Sequence, residues 1–144
     1  MRPVELDAAR AALRRDLTID IVTLGRRSGE WRTTEIWFVV VDDTVYICGT
    51  PGAGPAEREY WPRDWMANLI ARPDFSFVLK ESVDLVLSAR AEPVVDRAER
   101  RRVFCAPVTG WYRNQTGSIE ALVDHAPIVR VSFTGEAATL NGTF

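Results

Sequence analysis

The sequence predicts an α+β domain built mainly on an antiparallel barrel with flanking helices. Three observations carry this. Six strand-like apolar segments are joined mostly by short turns. The alternating strand–helix–strand repeat of a parallel sheet is absent. The GxGxxG dinucleotide fingerprint is also missing, and Gly49 to Gly54 lacks the GK[ST] ending of a phosphate-binding loop. A Rossmann or kinase-like reading is therefore excluded.

Val4 to Asp16 reads as a first helix, with Leu6, Ala9, Leu13 and then Leu17 forming an apolar stripe and Arg10, Arg14 and Arg15 outside it. The apolar run Ile19 to Leu24 is a strand that stops at Gly25-Arg26-Arg27-Ser28-Gly29-Glu30, a tight turn into a second strand over Trp31 to Val41. That second strand is apolar on both faces beyond Ile36, so each face needs a cover. Asp42-Asp43 turns the chain into a third strand, Thr44 to Gly49. This strand runs into the irregular loop Thr50-Pro51-Gly52-Ala53-Gly54-Pro55. Pro62 suits the first turn of a helix, with Asp64 near its positive end and Trp65, Met66, Leu69 and Ile70 on one face, and Pro73 ends it.

Phe75 to Lys80 and Val83 to Glu92 alternate apolar with polar and form a hairpin through Glu81-Ser82. Asp96 and Glu99 resemble a capping pair opening a helix to about Phe104, whose Arg100-Arg101-Arg102 reads as its wet face. Pro127 to Phe133 is the last strand.

At 144 residues the chain matches one compact domain, and a domain of that size buries about two-thirds of its unfolded surface without disulfide or metal. It is 47% hydrophobic and 26% charged, with no apolar run of membrane-helix length, which predicts a soluble protein. The acidic N-terminus lacks a secretory apolar run, and Cys48 and Cys105 form no CxxC pair. A cytoplasmic protein with free thiols is expected, and its Asn-X-Thr matches at Asn114 and Asn141 are read as chance. The net charge of −2 argues against a nucleic-acid binder, although every basic residue except Lys80 is Arg. That bias fits a GC-rich genome, such as an actinobacterial one. With a single histidine, His125, a zinc site has too few ligands.

The chemistry concentrates in the first turn. Arg26, Arg27 and Arg32, joined by Ser28 and two glycines, offer guanidinium forks, a hydroxyl and backbone N–H groups together, which suits a phosphate or carboxylate. A solvated hairpin tip would look the same on charge alone.

Two ordered blocks add to this. Thr23-Leu24-Gly25-Arg26-Arg27-Ser28-Gly29-Glu30-Trp31-Arg32, then Ile36-Trp37-Phe38-Val39, resembles the "TTGRKSGxPR…PLWFV" signature of the deazaflavin-dependent nitroreductases, which include F420H2-dependent quinone reductases. Cys48-Gly49-Thr50-Pro51-Gly52 is similar to their small-residue loop, and Asp64 to Pro73 to their "xWxxNLxANP" helix. The match runs from about Ile19 to Lys80 and returns at Pro127-Ile128-Val129.

The resemblance implies a split β-barrel of the FMN-binding type that holds coenzyme F420. One domain would span 1–144, with an N-terminal helix at 4–16, a barrel over about 18–134 and a polar tail at 135–144. Arg26, Arg27, Ser28 and Arg32 would hold the phosphate and glutamyl tail. Cys48, Gly49 and Thr50 would border the ring, and Trp65 and Asn68 would contribute from the helix. Trp65 reads equally as core, and Asn68 as a capping or surface group.

Trp37 and Tyr112 are the candidate catalytic residues. Trp37 shares a strand face with Trp31, Thr33 and Glu35, but also reads as a core tryptophan, while Tyr112 reads as a proton donor or as a pin for its loop. Glu35 and Trp31 depart from the family pattern, Glu35 standing where proline is usual. It can tune a pocket proton or pair with Arg32 or Thr33. The implied activity is hydride transfer from F420H2 to an electron-poor quinone, enone or nitroaromatic. FMN in the same site and a non-catalytic cofactor binder are the alternatives. The expected partner is a small-molecule acceptor, with neither nucleic acid nor membrane, and both monomer and homodimer are compatible.

Overall fold

The computed structural model describes residues 1–51 and 64–144. Gly52 to Pro55 of the small-residue loop and Pro62 lie outside them. Seven strands make one antiparallel sheet: β1 (Thr18–Leu24), β2 (Trp31–Trp37), β3 (Val39–Val41), β4 (Thr44–Cys48), β5 (Asp74–Leu79), β6 (Leu85–Pro93) and β7 (Ile128–Phe133). Their order is β2-β1-β5-β6-β7-β4-β3.

The expected second strand, Trp31 to Val41, is thus two. Up to Trp37 it pairs with β1, Thr18 facing Trp37. From Val39 it pairs with β4, Val39 facing Tyr46. Phe38 is the handover: its N–H donates to Leu17 O at 3.1 Å, and its ring turns inward against Phe77, centroids 5.5 Å apart. Strands β2 and β3 are the two edges of the sheet yet are only one residue apart in sequence, so the sheet must curl into a half-barrel.

Alternation along β1, β5 and β6 sends Ile19, Ile21, Phe75, Phe77, Leu79, Leu87, Ala89 and Ala91 into the main core. Helix α1 (Pro3–Arg15) adds Ala9, Ala12 and Leu13 to it. Leu17 leaves the expected stripe and is 62% exposed, because the helix stops at Arg15 and the extended chain rotates it outward. Residues 135–144, read as a polar tail, form a 3-10 turn over Gly135–Leu140 that buries Ala137 and Leu140 in the same core.

The tight Asp42-Asp43 turn has positive φ at both residues, 51° and 59°, as a two-residue hairpin turn with matching twist requires. Strand β4 is buried on both faces. Val45 and Ile47 enter the main core, while Tyr46 and Cys48 meet a second core under α3 (Arg97–Cys105), α4 (Gly110–Thr116) and α5 (Ile119–His125).

Helix α3 opens as expected, Asp96 Oδ2 accepting from Glu99 N–H at 2.9 Å. The Glu99 carboxylate reaches across to the sheet instead, accepting from Tyr46 Oη at 2.7 Å and from Arg130 Nη2 at 2.6 Å. The triplet Arg100-Arg101-Arg102 is not uniformly wet. Arg101 and Arg102 are surface ion-pair partners, but Arg100 is 9% exposed. It donates to the carbonyls of Val123 at 2.5 Å, Val94 at 2.8 Å and Ala126 at 2.7 Å, with a longer contact to Leu122 at 3.4 Å. Three of these lie at the C-terminal end of α5, where carbonyls lack partners within the helix.

Arg100→Met is expected to cost about 3 kcal/mol or more in urea unfolding, because several buried carbonyls lose their donor. Arg101→Ala should stay within about 0.5 kcal/mol.

The Arg130 guanidinium, followed by the Tyr46 hydroxyl, holds the Glu99 carboxyl below its ordinary 4.5. A depressed carboxylate stabilises the fold fully above the unfolded-state value, and that contribution is lost as pH falls through the lower folded value. Glu99→Gln should therefore lower the midpoint of urea unfolding at pH 7, with the gap to wild type closing as pH falls below about 4.5.

Candidate functional site

The β1–β2 turn is shaped by close approach. Gly25 N–H donates to Glu30 O at 2.8 Å, and Gly29 N–H to Gly25 O at 3.0 Å. A Cβ on Gly25 would lie 2.5 Å from Ser28 Oγ, 3.2 Å from Glu30 O and 3.3 Å from Arg32 Nε, so glycine lets the turn and the Arg32 side chain close together. Ser28 Oγ accepts from Glu30 N–H at 3.1 Å.

The turn is fastened to helix α2 (Asp64–Ala71) by Asn68, whose Oδ1 accepts from Arg26 N–H at 3.0 Å. Asn68 is only 5% exposed, which sets aside the surface reading. Arg27 and Arg32 have no carboxylate partner among the described residues. A cavity of about 390 Å³ results, lined by Gly25, Arg26, Arg27, Ser28, Arg32, Asn68 and Trp65 together with Thr33 and Thr34.

A second cavity of about 390 Å³ lies against it. Glu35, Ile36 and Trp37 come from β2, and Cys48, Gly49 and Thr50 from the end of β4. Trp111 and Tyr112 on α4 and Trp65 on α2 complete it. Trp65 lines both cavities and also packs on the main core.

Gly49 is pinned where the chain passes closest. Its N–H donates to Pro127 O at 2.9 Å, and a Cβ there would lie 2.8 Å from Pro127 Cγ. Trp37 is 46% exposed, not a core residue, and packs against Trp111 with ring centroids 5.5 Å apart.

Tyr112 is 4% exposed, with its hydroxyl 3.4 Å from Cys48 O as donor. Burial pushes the Tyr112 hydroxyl and the Cys48 thiol well above their ordinary values, so both stay protonated at neutral pH. Glu35 pairs with neither Arg32 nor Thr33. It binds Lys80, which also donates to Asp20 at 2.8 Å, and these bonds, Asp20 first, raise the Lys80 ammonium above its ordinary value.

All eleven sequence-derived site residues therefore fall on these two adjoining cavities. Sequence reasoning singled out Tyr112 but passed over its neighbour Trp111. Its only local signal was an aromatic pair beside a glycine. Thr34 carried no signal, and Thr33 only its place on the strand face of Trp37. Among the described residues no group of three or more acidic, His or Cys side chains could hold a metal, and no helix is long and apolar enough to cross a membrane.

A curled antiparallel sheet with helices over its β4–β7 face is the split-barrel fold of FMN-binding proteins. Solved structures agree in fold. An FAD-binding protein from Mesorhizobium loti aligns at 14% identity and TM-score 0.61, covering 94% of this chain and 91% of its own. A Clostridium acetobutylicum protein of the pyridoxinephosphate oxidase family, related to general stress protein 26, aligns at 12% and 0.62, covering 94% and 87%. The heme storage protein HutZ of Vibrio cholerae aligns at 14% and 0.51, covering 94% and 92%. No curated protein matches the sequence. Within that fold, the chain belongs to the F420H(2)-dependent quinone reductase family, whose model matches residues 10–132.

Asn68→Ala should free the turn from α2. Amide hydrogen exchange at Arg26 is expected to accelerate by about tenfold or more, the equivalent of about 1.4 kcal/mol from one buried bond.

Proposed function

We infer that the protein is an F420H2-dependent reductase that passes a hydride to an electron-poor small molecule, a quinone, enone or nitroaromatic. The observation that carries this is the meeting, at Trp65, of a basic cradle with an aromatic cavity. A ligand with an anionic tail and a flat ring asks for that pairing, and family membership supports F420 as the ligand. The donor set suits it: three arginines, the Ser28 hydroxyl and a turn closed to any side chain at Gly25.

When bound and reduced, the deazaflavin supplies the hydride from its ring carbon. The chain's own residues do the rest. Arg26, Arg27, Arg32 and Ser28 would hold the phosphate and glutamyl carboxylates, each charge-assisted bond contributing about 1.5–3 kcal/mol. Asn68 holds the turn in register; Trp65, shared by both cavities, would stand between tail and ring, and Cys48, Gly49 and Thr50 would form the wall beside the ring.

Trp37 and Trp111, each about half exposed, flank the cavity with their rings in contact. The Tyr112 hydroxyl, kept protonated by burial, would donate to an acceptor oxygen at the cavity edge by turning away from its long 3.4 Å contact with Cys48 O. The buried, protonated Cys48 thiol makes a poor nucleophile, which fits a site whose redox chemistry is the cofactor's.

Titration with oxidised F420 and, in parallel, FMN, followed by tryptophan fluorescence, tests the reading. F420 should bind, and Arg27→Ala should weaken it by about tenfold or more. FMN binding alone would transfer the site to a flavin enzyme of the same fold, and binding of neither would end the cofactor reading. Absence of menadione turnover with F420H2 would leave a cofactor binder.

A further inference from the structure

The aromatic cavity carries a charge signature of its own. Trp37 and Trp111, 46% and 48% exposed, stand at its mouth with their rings in contact. Glu35 lines the same cavity two residues before Trp37, and a spacing of two puts both side chains on one face of β2. No cationic side chain lines this cavity among the described residues.

Glu35 pairs with Lys80, which is shared with Asp20, the residue facing Glu35 across the β1–β2 ladder. Among the described residues, this trio of two carboxylates and one ammonium carries one net negative charge, with Glu35 on the cavity lining. Indole faces present the negative side of their quadrupole, and a carboxylate beside them adds to the same potential. The three arginines lie in the other cavity, beyond Trp65, where the phosphate and carboxylates of the cofactor tail would neutralise them.

We propose that the aromatic cavity selects flat acceptors bearing a positive charge, with Trp37 and Trp111 as the stacking faces and Glu35 as the residue that sets the charge preference. This rests on the reductase reading of the site and narrows its substrate class. Neutral rings bind by stacking alone, and anionic rings are disfavoured by Glu35.

The test uses a redox-inert pair of matched shape and opposite charge, (2-naphthyl)trimethylammonium and 2-naphthalenesulfonate. Each is titrated into the protein with and without oxidised F420, and the indole N–H signals of Trp37 and Trp111 are followed by NMR. The cation should bind about fivefold or more tightly than the sulfonate and shift both signals. Glu35→Gln should bring the ratio close to one, and Lys80→Met should raise it. Equal affinities, shifts elsewhere only, or a preference unchanged in Glu35→Gln would overturn the proposal.

Menadione turnover with F420H2 on the same preparation separates the two readings. Turnover without charge preference sinks only the cation selectivity. A charge preference without F420 binding or turnover keeps the cation site and sinks the reductase assignment, and with it selection of an acceptor.

Discussion

The molecule depends on the handover at Phe38. One run of chain supplies both edges of the sheet, β2 before Phe38 and β3 after it. A flat sheet would hold those edges many strands apart, but one residue of linker cannot span that distance. Curling is therefore imposed by connectivity, and twist makes it cheap. The Phe38 ring fills the inside of the bend against Phe77, while the Phe38 N–H and Leu17 O satisfy each other where the ladder changes partner. The end of β2 and the end of β4 then come together, which is why Trp37 and Cys48 line one cavity although the chain turns back between them.

Polar groups with no redox chemistry hold that geometry. Asn68 ties the arginine turn to α2, and Pro127 O holds Gly49 at the cavity wall. Arg100 sits one step behind. By gathering carbonyls at the end of α5, including that of Ala126, it fixes the approach of the chain to Pro127 and to β7. The cavity wall thus rests on a guanidinium that never reaches it. Tyr46, Glu99 and Arg130 do the equivalent for α3, clamping it to β4 and β7 through a carboxylate with two partners.

Three roles for one side-chain type follow from surroundings alone. Arg101 and Arg102 are solvated and gain little from their ion pairs. Arg100 is buried and spends its donors on carbonyls. Arg27 and Arg32 meet no carboxylate among the described residues and share a turn that brings them together on one cavity, a placement that suits an anion. Family membership and the split-barrel fold fit that last arrangement.

Much of this was legible in the sequence, because the signals are short-range. Alternation marked the strands, the Asp42-Asp43 and Gly25 to Glu30 turns marked the hairpins, the Asp96 cap marked α3, and the ordered blocks around Arg26 and Trp65 marked the candidate site. What the sequence could not determine are matters of which segment meets which. Only tertiary structure broke Trp31–Val41 at Phe38, turned Leu17 outward, buried Arg100 between α3 and α5, gave Glu35 to Lys80 and set Trp111 against Trp37. Periodicity and turn chemistry are properties of neighbouring residues. Register, burial and ion pairing depend on partners tens of residues away, and those partners are chosen only when the whole sheet closes.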